Sequence, residues 1–456
     1  MRYIQSMRKG LNRLAAFLVA AMLPISMLTG CATYGVIMNE PLAVEQATPE
    51  DVLQSTTVDA GESSTNDITM ILAFSGGGTR AAALSYGVLK GLRDTPMHSQ
   101  RMLDEVDAIT SVSGGSFTAA YYALHGEKTF QSFEPKFLRR EIESEIKKRW
   151  LRPGQIFSRT SRTVAAMDLY SQDLFANATF ADVKRAGGPA LIINASDLGS
   201  GVRFSYIPEY FLLLCSRLDD VPLAQAVTAS SAVPFLFDPV MLANYSTCST
   251  SDTAWLSEMQ KRAAGNPNLT QLANGLQGYS RKDKRPFIHL VDGGITDNLG
   301  LRALYDIVEA SGGAKAYIER LGKPVSKRFV VIVVDAASTA DPVMDLSPNP
   351  PSLKQTAAAI SDAQINRYSV DTLQFISNNA RQWAKEWSTP SHPVELYMVH
   401  LDFGSLKDRK LADTLSHMPT TLQLENSQVD QLIDAGQSLL RDNPEFQRLL
   451  KDLRTK

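Results

Sequence analysis

Three short stretches set small residues beside groups that can do chemistry, each where an apolar run stops. They are Ser75-Gly76-Gly77-Gly78-Thr79-Arg80, Ser111-Val112-Ser113-Gly114-Gly115 and Asp292-Gly293-Gly294. The first follows the strand-like run Ile68 to Phe74 and the second follows Val106 to Thr110, so both read as sharp strand-to-helix turns at the end of a sheet. Ser113 is the candidate nucleophile, centred in a G-x-S-x-G-like pentapeptide with Ser111 in its first position and Gly115 in its last. Such an elbow needs small neighbours because it strains the turn and brings strand and helix backbones together. The same residues would also serve as a plain loop, with Ser113 or Ser116 capping the next helix.

Gly76, Gly77 and Gly78 can point several N–H groups one way, at the start of a helix expected from Thr79 to about Leu92. That cradle suits an oxyanion. It would suit a phosphate equally, although the spacing is neither G-x-G-x-x-G nor a Walker loop. Arg80 in the first turn sets a cation against the helix dipole, a placement that points to a functional or loop-supporting role. Asp292 closes the apolar segment Phe287 to Val291. With an ordinary pKa of about 4 it needs burial and a hydrogen bond to the serine before it can accept a proton near neutrality; a D-G pair is also a common turn. Asp297 and Asn298 are expected to cap a helix from Leu301 to Ala310. A backbone cradle, an exposed serine and a carboxylate base together make the equipment of an acyl hydrolase.

A histidine base fits less well. His289 stands three residues before Asp292 on an extended strand, so it should face the opposite side of the sheet. His125, at the end of the helix behind the elbow, is expected to be a cation at a helix C-terminus. A Ser-Asp dyad is the better reading. No cluster of His, Cys and carboxylates has metal-ligand spacing, and neither a metal nor another cofactor is called for.

The three motifs, in this order and spacing, resemble those of the patatin-like phospholipases, a family of serine lipid acyl hydrolases. The resemblance extends to Leu191-Ile192-Ile193-Asn194-Ala195-Ser196-Asp197 with Gly201 and Phe204, and to Ala226 to Pro234 with Phe237 and Pro239-Val240. It runs from about Ile68 to Ala336. It implies a doubly wound α/β fold with a mainly parallel sheet flanked by helices, Gly76 to Gly78 as oxyanion loop, Arg80 as its basic neighbour, Ser113 as nucleophile and Asp292 as base. The implied substrate is a phospholipid or other acyl lipid, cleaved by hydrolysis or, with an alcohol in place of water, by acyl transfer. A non-catalytic lipid- or partner-binding protein is the competing class.

The N-terminal residues read as an address. Arg2, Arg8, Lys9 and Arg13 precede an apolar run from Leu14 to Leu28, shorter than a membrane span of about twenty residues. Leu28-Thr29-Gly30-Cys31 resembles a bacterial lipobox, which makes residues 1–30 a signal peptide and Cys31 a lipidated first residue holding the protein on the membrane. Ala32 lacks the aspartate that resembles an inner-membrane retention signal, so the expected place is the outer membrane, facing the periplasm. Losing the four leader cations moves the formal charge from −2 to −6, which argues against a nucleic-acid partner. Cys215 and Cys248 then remain, as a disulfide or as buried thiols.

The stretch 31–66 is polar and reads as a flexible tether. A catalytic core is expected over 67–340, with parallel-sheet runs at Ile68 to Phe74, Ala190 to Ala195 and Phe329 to Asp335. Residues 341–456 should complete that core and add a helical extension, with a strand at Leu396 to Leu401 and helices at Ser427 to Leu440 and Pro444 to Leu453. A charged helix is expected from Phe133 to Trp150, with Phe133, Phe137, Ile142 and Ile146 facing inward and its cations on a solvated or membrane-facing side. Tyr210 to Leu214 and the region from Trp255 to Lys282 are candidates for a lid, the second as a mobile cover.

Overall fold

The computed structural model describes residues 37, 39–42, 67–97, 100–151, 161–248, 254–321, 324–338 and 348–454. The expected leader 1–30, Cys31 and most of the tether lie outside the described residues.

The strands are β1 (Ile68–Phe74), β2 (Pro96–Met97), β3 (Gln100–Arg101), β4 (Val106–Val112), β5 (Ala190–Asp197), β6 (Arg203–Tyr206), β7 (Val240–Ala243), β8 (Phe287–Val291), β9 (Arg328–Asp335) and β10 (Glu395–Asp402). All but the small β2–β3 pair form one mixed sheet in the order β10-β9-β1-β4-β5-β8-β7, with β6 also on β5. From β10 to β5 the neighbours run parallel, while β6, β7 and β8 pair antiparallel. The sequence accounts for this split. In β9 all eight residues, RFVVIVVD, are buried, as a β-branched run without alternation must be when both faces of a sheet are covered. In β8, FIHLV, exposed Phe287 and His289 alternate with buried Ile288 and Leu290, so one face is open.

The main helices are α1 (Gly78–Arg93), α2 (Gly114–His125), α3 (Ile142–Trp150), α4 (Leu223–Ser230), α5 (Ala254–Arg262), α6 (Pro267–Gln277), α7 (Arg302–Ala310), α8 (Leu353–Trp387), α9 (Asn426–Asp442) and α10 (Pro444–Arg454). Alternate residues of β9 enter two separate cores. Val330, Ile332 and Val334 join residues of α1, α2 and α9, whereas Phe329, Val331 and Val333 join Leu304 of α7 and Ile376, Ala380 and Trp383 of α8. The fold is thus wound on both faces of the sheet. Residues past 340 complete it, since β10 pairs with β9 along its whole length and α9 packs along α1.

Several expectations change. The helix expected from Phe133 to Trp150 is broken: a wider turn at Glu134–Leu138 contains Pro135, and α3 starts afresh at Ile142. Phe133, Phe137, Ile142 and Ile146 are nevertheless all buried. Arg139 pairs with Glu134 and Asp430, and Arg140 and Arg149 share Asp173, so these three arginines are engaged in ion pairs. Tyr210 to Leu214 is core, not lid. The region from Trp255 is no loose cover either, because Leu256, Met259, Leu269 and Leu272 anchor α5 and α6 in the core.

Part of the expected tether is docked. Asn39 exchanges two hydrogen bonds of 2.9 Å with the backbone of Ala243, and Leu42 donates its N–H to the Cys215 carbonyl. Cys215 and Cys248 form a disulfide beside this contact, with Cα atoms 5.3 Å apart.

Candidate active site

Strands β1 and β4 are parallel neighbours, with Phe74 opposite Ser111, so the loops that leave their ends lie side by side. Ser113 follows β4 with φ 48° and ψ −119°, a conformation that non-glycine residues adopt only under strain. Its surroundings hold it there. The Ser113 N–H donates to Ser230 Oγ at 2.8 Å, and Ser230 in turn donates to the Asn194 carbonyl at 2.6 Å. The Gly115 N–H reaches the Ser75 carbonyl at 3.2 Å, while Ser111, buried, donates its hydroxyl to Ile192 O at 3.2 Å. Gly114 lies against the oxyanion-loop candidate so closely that a Cβ there would sit 2.0 Å from the Gly78 carbonyl oxygen.

Ser113 Oγ donates to Asp292 Oδ2 at 2.8 Å. The other carboxylate oxygen accepts the Gly294 N–H at 2.8 Å, and Ser196 Oγ holds the Asp292 carbonyl at 2.8 Å. Asp292 is 9% exposed, and burial pushes its pKa up to about 6 against the opposing pull of the Gly294 and Ser113 hydrogen bonds. This is the poise a carboxylate base needs.

Among the described residues, the glycine loop offers two amides without an internal acceptor, not three. The Gly76 N–H is spent on the Asn298 carbonyl at 3.0 Å, and the Thr79 N–H on the Thr421 carbonyl at 2.8 Å. The Gly77 and Gly78 amides between them are left at the positive end of α1. Arg80 is 2% exposed and points away from bulk water. It donates from Nε to Ala336 O at 2.9 Å, from Nη2 to Thr420 Oγ1 at 3.1 Å, and from Nη1 to Met418 O. Burial lowers its pKa to about 10, with Asp362 and Asp335 opposing that fall, so it stays a cation and braces the loop.

Asp297 accepts the Arg302 N–H at 2.7 Å, in keeping with the expected cap, whereas Asn298 works through its backbone on Gly76. His289 is exposed on the far side of β8, as its spacing from Asp292 implies. His125 departs from expectation: burial lowers its pKa, so at neutral pH it is a neutral ring facing the Leu174 carbonyl at 3.2 Å, not a helix-end cation. Ser230, Asn298 and the Met418–Thr421 segment carry no motif of their own. Ser230 lies in the Ala226 to Pro234 stretch already singled out, and that was its one signal.

The family model for patatin-like phospholipase matches residues 72–305, just over half of the chain, and brackets all three loops. The chain belongs to the patatin-like phospholipase family, a class of lipid acyl hydrolases. Compared by sequence with curated proteins, it matches none. Among solved structures, human GIVD cytosolic phospholipase A2 aligns at 12% identity over 92% of this chain and 68% of that one, with a TM-score of 0.46. The same human enzyme in complex with methyl gamma-linolenyl fluorophosphonate aligns at 14% identity over 91% and 66%, with a TM-score of 0.39.

Proposed function

We propose that this chain hydrolyses acyl esters of phospholipids or related membrane lipids, in the manner of a phospholipase A or lysophospholipase, with Ser113 as nucleophile and Asp292 as its base. The observation that carries the reading is the 2.8 Å hydrogen bond from a strained, elbow-mounted Ser113 to a buried Asp292. As Ser113 Oγ attacks the ester carbon, its proton passes to Asp292 and the carbonyl pair moves onto oxygen. The Gly77 and Gly78 amides hold that oxyanion. Collapse breaks the ester C–O bond, and the leaving alcohol takes the proton from Asp292, leaving an acyl group on Ser113. Water then repeats the sequence and frees the fatty acid.

Membrane attachment through lipidated Cys31 belongs to the same proposal, with the chain facing an oxidising periplasm. The Cys215–Cys248 disulfide supports such a compartment. Mass spectrometry of extracted envelope lipids incubated with the soluble form tests the activity. Free fatty acid and lysolipid are the expected products; acyl groups moved to a second alcohol would make it a transferase, and no change in any lipid would overturn the proposal. Cys31→Ser should release the protein from membranes and slow turnover of bilayer lipid while hydrolysis of a water-soluble ester is unchanged. Retention through carbonate washing would count against the anchor.

A further inference from the structure

We infer that the segment Met418–Leu422, more than a hundred residues beyond the family-matched region, sets the position of the oxyanion loop and is a working part of the catalytic unit. The inference rests on the reading of Gly77 and Gly78 as oxyanion donors.

Two kinds of contact converge on that loop from this one segment. The first is backbone to backbone. Thr421 O takes the Thr79 N–H at 2.8 Å, and a Cβ on Gly78 would lie 2.3 Å from the same oxygen, so the segment lies flush against the residue carrying one donor amide. The second runs through Arg80, whose guanidinium gathers Met418 O and Thr420 Oγ1 together with Ala336 O at the end of β9. The far end of the segment is pinned as well, since the Leu422 N–H donates to Glu143 Oε1 at 3.1 Å. Behind it, α9 runs along α1, the helix whose first residue is Gly78. Both ends of α1 are therefore referenced to chain beyond residue 417.

This matters because an oxyanion donor works only within a few tenths of an ångström of its place, and misplacement by about 1 Å costs orders of magnitude in rate. Three consecutive glycines cannot hold such a geometry themselves. Ser75 and Asn298 fix the front of the loop through Ala336 and Gly76. Thr420 and Thr421 fix its back, and are positioning residues that touch no substrate.

The test uses the full chain and a water-soluble butyrate ester. Thr420 and Pro419 are exposed, so changing them leaves the core intact. Thr420→Val, which removes the acceptor for Arg80, should lower kcat about fivefold with KM within about twofold, while Thr420→Ser keeps the hydroxyl and restores the rate. The double change Pro419→Gly/Thr421→Gly, which loosens the segment, should lower kcat further and slow fluorophosphonate labelling of Ser113 in parallel. Melting temperature should stay where it is in Thr420→Val and Thr420→Ser and fall modestly in the double variant, whose two glycines cost conformational entropy and one hydroxyl contact. The acidic limb of the pH profile should stay where it is in every variant. Unchanged kcat in both Thr420→Val and the double variant would overturn the inference. So would a shift of the acidic limb, which would mean that the segment acts on Asp292 instead. A Ser113→Ala protein that keeps its activity would overturn the nucleophile reading itself, an outcome separable from either.

Discussion

Gly114 and Gly78 face each other across the site, so close that the Cβ of any other residue at 114 would lie 2.0 Å from the Gly78 carbonyl oxygen. The elbow that carries Ser113 and the loop that carries the Gly77 and Gly78 amides are thus in direct backbone contact. Gly114→Ala must push one from the other. Ester hydrolysis is expected to fall by about a hundredfold or more, with helical content by circular dichroism retained. Full activity in Gly114→Ala would show that the two loops move independently.

The Ser113 backbone gives a second expectation. At φ 48° and ψ −119° a side chain costs about 1–3 kcal/mol. Ser113→Ala should abolish turnover and fluorophosphonate labelling, and Ser113→Gly should do the same yet melt at a higher temperature than Ser113→Ala. That order reverses the usual penalty for glycine, so equal or lower melting of the glycine variant would remove the strain from the account.

Asp292 links activity to pH. With its folded pKa raised to about 6, the carboxylate must be ionised to take the Ser113 proton, so kcat/KM should fall as pH drops through about 6. Stability runs the other way. An acid whose pKa is raised by folding contributes fully below its unfolded value, and that contribution is lost as pH rises through about 6. Asp292→Asn should therefore be inactive but more stable than wild type at pH 7, by about 1–3 kcal/mol on the scale of one pKa unit per 1.36 kcal/mol, with the gap narrowing toward pH 4. Denaturant unfolding at the two pH values reads this directly. A gap that stays constant would mean that Asp292 is not the titrating group.

The motifs and the central strands are legible in the sequence. The bounds read for β1 and β8 are those observed, because an uninterrupted apolar run ending in a glycine turn has few other readings. The nearness of Ser113 and Asp292 is legible too, since each follows an apolar run, and the two side chains meet in a hydrogen bond. What escaped was chemistry done by peptide groups. The Asn298 carbonyl that takes up the Gly76 amide, and the Thr421 carbonyl that takes up Thr79, act through atoms every residue has, so side-chain type gives no hint of them. His125 misleads because its place at a helix end suggests a cation, while burial lowers its pKa. By contrast, α8 did leave a trace: Ser352 and Gln355 form a capping box just past Pro350-Pro351.

The disulfide offers a fourth check. Cys215 and Cys248 bridge a loop with a sequence separation of 33, and losing such a link costs about 2–4 kcal/mol. Cys248→Ser should lower the melting temperature under oxidising conditions to the value that wild type shows in reductant. Identical melting of wild type with and without reductant would mean that the bond adds nothing to stability.

The docking of Asn39 to Leu42 against Ala243 and Cys215 changes what a lipid on Cys31 would do to the enzyme. On the proposed anchoring, the first described contact with the body of the protein comes not at residue 66 but eight steps after Cys31, at Asn39, a length of chain that can span at most about 28 Å. At Asn39 to Leu42 the chain already touches the body of the protein. A long coil would let the domain tumble and sample the bilayer with any side; a short one fastened beside β7 lets it swing from one fixed point. Orientation toward the lipid would then be built into the attachment, and lengthening the leash between Cys31 and Asn39 with a flexible insert should slow bilayer hydrolysis without touching the rate on a dissolved ester.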